Sequence, residues 1–368
     1  MARSRLHELS AHGQSVWIDY LSRDLLASGG LARAVEEDAV VGVTSNPTIF
    51  QKALAAGSSY DTQMRELLGG EEDDGEAFFQ LAGSDVVVAC DLLRPIYDAT
   101  SRADGYVSFE VDPRLAFDTE ASVAQALRLH EMIDRPNLLV KIPATVPGLV
   151  AIEEMIARGR SINVTLIFSL ERYRAVVEAY LRGLERLVDG GGDPRRVASV
   201  ASFFVSRVDT ETDRRLDEIG GHDHLKGRLA VANARLAYRD YLGIFSGERW
   251  DALRARGAAP QRCLWASTST KNPAYRDVLY VEELIGPQTV NTMPEETIAA
   301  FQDHGRAEPR LTQGIDEARR LLDLLAEAGI DYDDVTATLE REGVEKFEES
   351  FGDLLAGISA KRHALVAA

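Results

Sequence analysis

The stretch SINVTLIFSLERYRAVVEAYLRGLERLV, residues 161–188, decides the fold. Its first part, SINVTLIF (161–168), is the short run of β-branched and other apolar residues expected of a strand buried on both faces. Its second part (169–188) carries apolar residues at helical spacing with charges on the opposite face. A strand followed directly by an amphipathic helix is one unit of a parallel sheet, and the question is how often it recurs.

Seven further strand candidates flank it. They are SVWIDYL (15–21), VVGVTSN (40–46), GYVSFEV (105–111), LLVKIPA (138–144), VASVASFFVS (197–206), CLWAST (263–268) and PQTVNTM (287–293). Helical patterns at 118–133 and 225–245 fit between them, the first opening on Asp118 and Thr119, both good N-cap types. Eight such units predict a (β/α)8 TIM barrel with additional helices and a C-terminal helical extension. The long interval between the second and third strands contains LGGEEDDGEAFF (68–79), which predicts extra helices and an exposed acidic loop. After the eighth strand, helical patterns at 311–328 and about 334–360 form a tail, the second with Phe347, Phe351, Leu354, Leu355 and Ile358 on one face. No Pro/Gly/Ser linker or repeat separates this tail, so residues 1–368 are expected to form a single domain.

Composition narrows the function classes. A hydrophobic fraction of 45% is that of a globular chain with a sizeable core, and its longest apolar runs fall short of a bilayer span. The N-terminus turns polar after its basic residues and lacks the apolar core of a secretory signal. A net charge of −18 argues against nucleic acid or an anionic membrane as partner, while leaving room for a small anion held by a few local cations. Cys90 and Cys263 have no CxxC spacing and read as reduced core thiols of a cytoplasmic protein. His222 and His224 in GGHDHLKG, and the run DGGGD, read as loop and connector rather than as a metal or phosphate site.

Barrel chemistry gathers at the C-terminal strand ends, and polar residues recur there. They are Asp19 in the first strand, Thr44 to Asn46 ending the second, Glu110 in the third and Lys141 in the fourth. Asn163 and Thr165 follow in the fifth, Ser202 and then Arg207 in and beyond the sixth, Ser267 and Lys271 at the seventh, and Asn291 in the eighth. Each alone has a plain explanation: a surface carboxylate, a turn, an outward-pointing side chain, a snorkelling lysine or a solvated loop cation. Together they are a set, because strands apolar on both faces do not tolerate polar insertions without partners. Lys141, inside LLVKIPA, stands out most. A desolvated lysine favours its neutral amine, which attacks a ketone to give a Schiff base, and Glu110 and Asp19 supply acid and base for the C–C cleavage that the iminium promotes.

VTSNPTIF (43–50), SFEVDPRLAFDTEAS (108–122), LLVKIPATVPG (138–148) and INVTLIFSLERY (162–173), in this order, resemble the transaldolase family. SFFVSRVD (202–209), WASTSTKNPAYRDVLYVEELIGPQTVNTMP (265–294) and EGVEKFEESF (342–351) resemble its long bacterial branch. The resemblance implies a class I Schiff-base transferase of the non-oxidative pentose phosphate pathway, with no cofactor or metal. It would move a dihydroxyacetone unit from sedoheptulose 7-phosphate to glyceraldehyde 3-phosphate, giving erythrose 4-phosphate and fructose 6-phosphate. By matching motif, Lys141 is the nucleophile, Glu110 exchanges protons through a water held by Thr165, and Asp19 takes the hydroxyl proton. Asn46, Asn163 and Ser202 would bind the dihydroxyacetone hydroxyls, and Arg207 the phosphate. Where shorter relatives end the seventh-strand motif in an arginine, this chain has Ser267 and then TSTKNP, so Lys271 is the candidate second phosphate cation. The expected partners are phosphorylated sugars, and the expected assembly is a monomer or homodimer.

Two alternatives are distinguishable. A fructose 6-phosphate aldolase-like enzyme would carry tyrosine at the position of Phe204 and glutamine at that of Glu110, and this chain carries neither. A non-catalytic sugar-phosphate-binding barrel would be expected to lack Lys141, Glu110 or Asp19, and all three are present.

Overall fold

The computed structural model describes residues 4–55, 57–67 and 73–367. Eight parallel strands close into a barrel in chain order. They are β1 (Gln14–Ile18), β2 (Val40–Thr44), β3 (Tyr106–Glu110), β4 (Leu138–Pro143), β5 (Ile162–Ile167), β6 (Ser199–Phe204), β7 (Arg262–Ala266) and β8 (Thr289–Met293). β8 pairs with β1 through Gln14 opposite Thr289 and Ile18 opposite Met293, leaving no open edge. The chain is therefore a (β/α)8 TIM barrel with a C-terminal helix.

The helix after β5, Leu170–Asp189, shows why the strand-helix unit folds as it does. Ser169 caps it by accepting a hydrogen bond from Arg172 N at 3.0 Å. Tyr173, Val176, Val177, Tyr180, Leu184 and Leu187 form its buried stripe against the barrel. Asp118 caps the helix Thr119–Ile133 in the same way, through Ala121 N at 2.9 Å. The pattern read at 225–245 starts as a helix only at Leu229. Gly227 has a left-handed φ of +67°, which ends the preceding short 3-10 turn Asp223–Leu225, and Asp209 Oδ1 then accepts from Ala230 N at 2.7 Å to begin the helix.

Between β2 and β3 the sequence suggested an acidic loop. Residues 68–72 of that stretch lie outside the described residues. The remainder is not loop: Asp73 caps a helix running Asp74–Ala99, whose Phe78 and Phe79 are buried. Both rings pack on Phe351 of the C-terminal helix, with centroids 5.5 Å and 6.3 Å apart. The aromatic pair at the end of the acidic run thus pulls it into helix.

The C-terminal helix, Tyr332–Ala367, crosses the end of the barrel at which the strands finish. Its Phe347, Phe351, Leu354 and Ile358 are buried. Thr48 Oγ1 donates to Ser350 Oγ at 2.8 Å, tying the C-terminal helix to the start of the helix Pro47–Ala55 that follows β2, and Arg172 pairs with Glu340 at 3.1 Å. At Gly343 the helix lies against β5: a Cβ there would lie 3.1 Å from Leu166 Cδ2.

Candidate active site at the barrel mouth

Lys141 sits near the end of β4, its Cα in register with Glu110 of β3 on one side and Asn163 of β5 on the other. Its Nζ donates to Glu110 Oε2 at 3.2 Å and to the Ser45 carbonyl at 2.9 Å. Ser45 follows β2, which does not neighbour β4, so the side chain must cross the barrel interior to reach it. Lys141 and Glu110 are each only 5% exposed. The ammonium is therefore buried but not unpaired, which resolves the anomaly of a charge inside an apolar strand. Removing one partner of such a pair costs about 3–5 kcal/mol, because the other charge is left without compensation.

Burial pushes the Glu110 carboxyl above its ordinary value, with the attraction of Lys141 pulling the other way. Glu110 Oε1 is buried and makes no hydrogen bond among the described residues, and the same is true of Thr165 Oγ1 on β5. Thr165 pairs with Pro143, two residues beyond Lys141, so it stands one layer nearer the mouth. The β5–β6 register shifts just after Val164, and Leu166 takes a left-handed φ of +59° there. Such a bulge bends the strand end and re-aims its side chains at a site.

Asp19 lies one residue beyond β1 rather than within it, held by its own N–H to the Met293 carbonyl at 2.8 Å. Its carboxylate accepts from Thr44 Oγ1 at 2.6 Å, and Thr44 Oγ1 is also 2.6 Å from Thr292 Oγ1. Enclosure by protein raises the Asp19 carboxyl above its ordinary value, opposed by Lys141 and by the Thr44 hydrogen bond. The side chain keeps some surface open to the cavity.

The cavity measures about 420 Å3 and is lined by Asp19, Asn46, Lys141, Thr165 and Ser202 on its inner side. Arg207, Ser267 and Lys271 line it nearer the rim. Asn46 Oδ1 accepts from Ile49 N at 3.1 Å, so the loop that ends β2 also starts the helix Pro47–Ala55. Asn163 is fully buried beneath the cavity, donating to Ser108 Oγ at 3.0 Å and accepting from Ser202 Oγ at 2.7 Å. It holds Ser202 in place and does not itself line the opening.

Arg207 is the second residue of the helix Ser206–Ile219, not a loop cation. Its guanidinium carbon lies 5.1 Å from the Phe204 ring centroid and 6.0 Å from that of Phe347, with Nη1 buried and without a hydrogen bond among the described residues. Burial lowers its pKa, while Asp19 and Glu342 oppose the shift. Ser267 Oγ is 2.9 Å from Ser206 Oγ, which fastens the end of β7 to the Arg207 helix. Lys271 is exposed at the rim and donates to Ser269 Oγ at 2.6 Å.

Some of the lining escaped sequence reasoning. Lys52 adds a cation from the helix after β2, and its spacing from Thr48 and Ile49 was the available signal. On β8 it is Thr292 that faces the cavity; Asn291 turns away, accepting from Thr268 Oγ1 at 2.9 Å. Phe347 comes from the C-terminal helix, more than two hundred residues after Lys141, with which it shares the cavity lining. Its role as cavity wall has no local signature.

Comparison with known proteins adds the lineage. A family model described as transaldolase/fructose-6-phosphate aldolase matches residues 16–358. A protein of Acidothermus cellulolyticus named transaldolase is 56% identical over 356 residues, covering 96% of each chain. Proteins of the same name from Frankia alni and Thermobifida fusca are 54% identical over 357 residues and 53% identical over 355 residues, again covering 96% of each chain.

Proposed function

The chain belongs to the transaldolase/fructose-6-phosphate aldolase family, and on that premise we propose that it performs the transaldolase reaction through a Schiff base on Lys141. The observation that carries this reading is the buried Lys141–Glu110 pair at 3.2 Å, whose lysine lines a cavity that Asp19 also lines. Passage of one proton along that hydrogen bond gives a neutral amine and a carboxylic acid. The amine adds to the C2 ketone of sedoheptulose 7-phosphate, and loss of water gives the iminium.

Water loss needs a proton donor within reach of the carbinolamine. Glu110, its value raised by burial, supplies one, and a water between Glu110 Oε1 and Thr165 Oγ1 would satisfy both otherwise unpartnered atoms. Asp19 then takes the proton of the C4 hydroxyl. The C3–C4 bond breaks, its electrons move to the iminium nitrogen as an enamine forms, and erythrose 4-phosphate leaves. Attack of that enamine on glyceraldehyde 3-phosphate, with return of the proton from Asp19, followed by hydrolysis, releases fructose 6-phosphate and the free lysine.

Asn46 and Ser202 offer hydrogen bonds to the dihydroxyacetone hydroxyls, with Asn163 behind Ser202. Arg207 is the main phosphate cation, and Lys271 with Ser267 a second contact. A lysine supplies charge there without the planar fork of an arginine. The acceptor phosphate therefore balances an electropositive rim against a chain of net charge −18.

Among the described residues no helix is long and apolar enough to cross a membrane. We assign the enzyme to the cytoplasm on its two buried free cysteines and leave monomer and homodimer as the expected assemblies. The test of function is product analysis with fructose 6-phosphate, with and without erythrose 4-phosphate. Transfer to the aldehyde with little free dihydroxyacetone is expected; free dihydroxyacetone as the main product in both cases would make the enzyme an aldolase.

A further inference from the structure

At the opposite end of the barrel from Lys141, a cleft of about 470 Å3 opens beside the beginnings of β4, β5 and β6. Its walls carry six arginines against the carboxylates of Asp98 and Asp193. Three of the arginines are neutralised: Arg94 by Asp98 at 2.9 Å, Arg135 by Asp91 at 2.5 Å and Arg158 by Glu154 at 2.7 Å. Asp193 is taken by Arg195 at 2.9 Å. Arg102, Arg160 and Arg196 are left without a carboxylate among the described residues. Arg102 Nη1 donates to the Arg195 carbonyl at 2.9 Å, so it is oriented by the backbone but not neutralised.

This arrangement runs against the composition of the chain. With 59 acidic residues to 41 basic ones, carboxylates are in surplus, yet three guanidinium groups from three separate segments line one cleft without an ion-pair partner among the described residues. Arg102 comes from the turn before β3, Arg160 from the residue pair before β5, and Arg196 from the 3-10 turn Pro194–Arg196 before β6. Like charges brought together repel unless an anion sits between them. The floor is neutral and polar: His130 Nε2 lies 3.1 Å from the Ser161 carbonyl, and burial together with Arg160 pushes its pKa down to about 4, so it adds no charge at neutral pH. Tyr97, largely buried, supplies a hydroxyl at the cleft wall.

We propose that this cleft is a second anion site, separate from the catalytic cavity, that takes a small organic phosphate or pyrophosphate-like oxyanion between Arg102, Arg160 and Arg196. Planar guanidinium forks match phosphate oxygens in pairs, and the cleft is of the size that holds a small metabolite. The site is independent of the Schiff-base reading, because none of its residues reaches the barrel mouth.

Inorganic pyrophosphate is the probe, titrated calorimetrically into the full chain carrying Arg207→Ala, which removes the main phosphate cation of the catalytic cavity. One site is expected to persist, and adding Arg160→Ala and Arg196→Ala is expected to weaken it by at least about tenfold. Should Arg160→Ala fail to fold, as judged by its melting curve, Arg102→Ala with Arg196→Ala replaces it, since both side chains are exposed. Absence of binding in the Arg207→Ala protein, or affinity unchanged when the lower arginines are removed, overturns the proposal. Transaldolase turnover of the Arg160→Ala/Arg196→Ala protein without pyrophosphate should equal that of the unaltered chain, which separates this test from that of the reaction.

Discussion

Lys141 was legible in the sequence because a charge in an apolar strand is a local anomaly, and Glu110 and Asp19 because acids at strand ends are another. Their convergence was not, since it depends on the register that sets Glu110 beside Lys141 and on the closure that brings β8 back to β1. Asp19 must be ionised to accept a proton, and its value is raised above the ordinary 3.8. Activity should therefore fall with acid at a higher pH than a free aspartate would dictate. Thr44→Val removes a hydrogen bond that stabilises the carboxylate, so the acid limb of kcat/KM should move further upward; an unmoved limb in a pH-rate profile would exclude Asp19 as the group that limits the acid side. Thr165→Ala should lower kcat by about 10²-fold with KM little changed, the range of one general acid-base contribution. A comparable rise in KM would mean that Thr165 binds substrate instead.

Among the elements, strand and helix alternation made the barrel readable, because apolar strands and amphipathic helices have different periods. The helix that closes the mouth was readable as amphipathic but not as a cavity wall. Phe347 stacks on Arg207, and that contact depends on how two distant helices meet. Cation–π contacts contribute about 0.5–2 kcal/mol, so Phe347→Ala should raise KM for fructose 6-phosphate severalfold while leaving kinetics with unphosphorylated fructose nearly unchanged. Equal losses for the two sugars would assign Phe347 a purely structural role. The eighth strand shows the limit of pattern reading: Asn291 and Thr292 are both polar, and only the pairing with β1 decides that Thr292 faces Thr44.

For the whole molecule, we take the chain as one folding unit, because residues from Leu6 to Ile358 contribute to one contiguous core. Buried acids away from the mouth set its stability against pH. Asp209 accepts from Ala230 N and, at 2.9 Å, from Tyr280 Oη, and burial raises it to about 7. A carboxyl raised in the folded state stabilises below its unfolded value and loses that contribution as pH rises through the folded value. The melting temperature should thus decline as pH rises from about 5 to about 7 and level off above that, and Asp209→Asn, which keeps the size and an acceptor, should flatten the decline. An identical slope in the two proteins would place the titration elsewhere.

The central claim is that the barrel delivers a covalent lysine to a ketose. Borohydride added with fructose 6-phosphate should trap a reduced adduct, found by peptide mass spectrometry on the segment containing Lys141 and nowhere else, and Lys141→Ala should abolish both adduct and transfer. Trapping at another lysine, or full transfer by Lys141→Ala, would contradict the account.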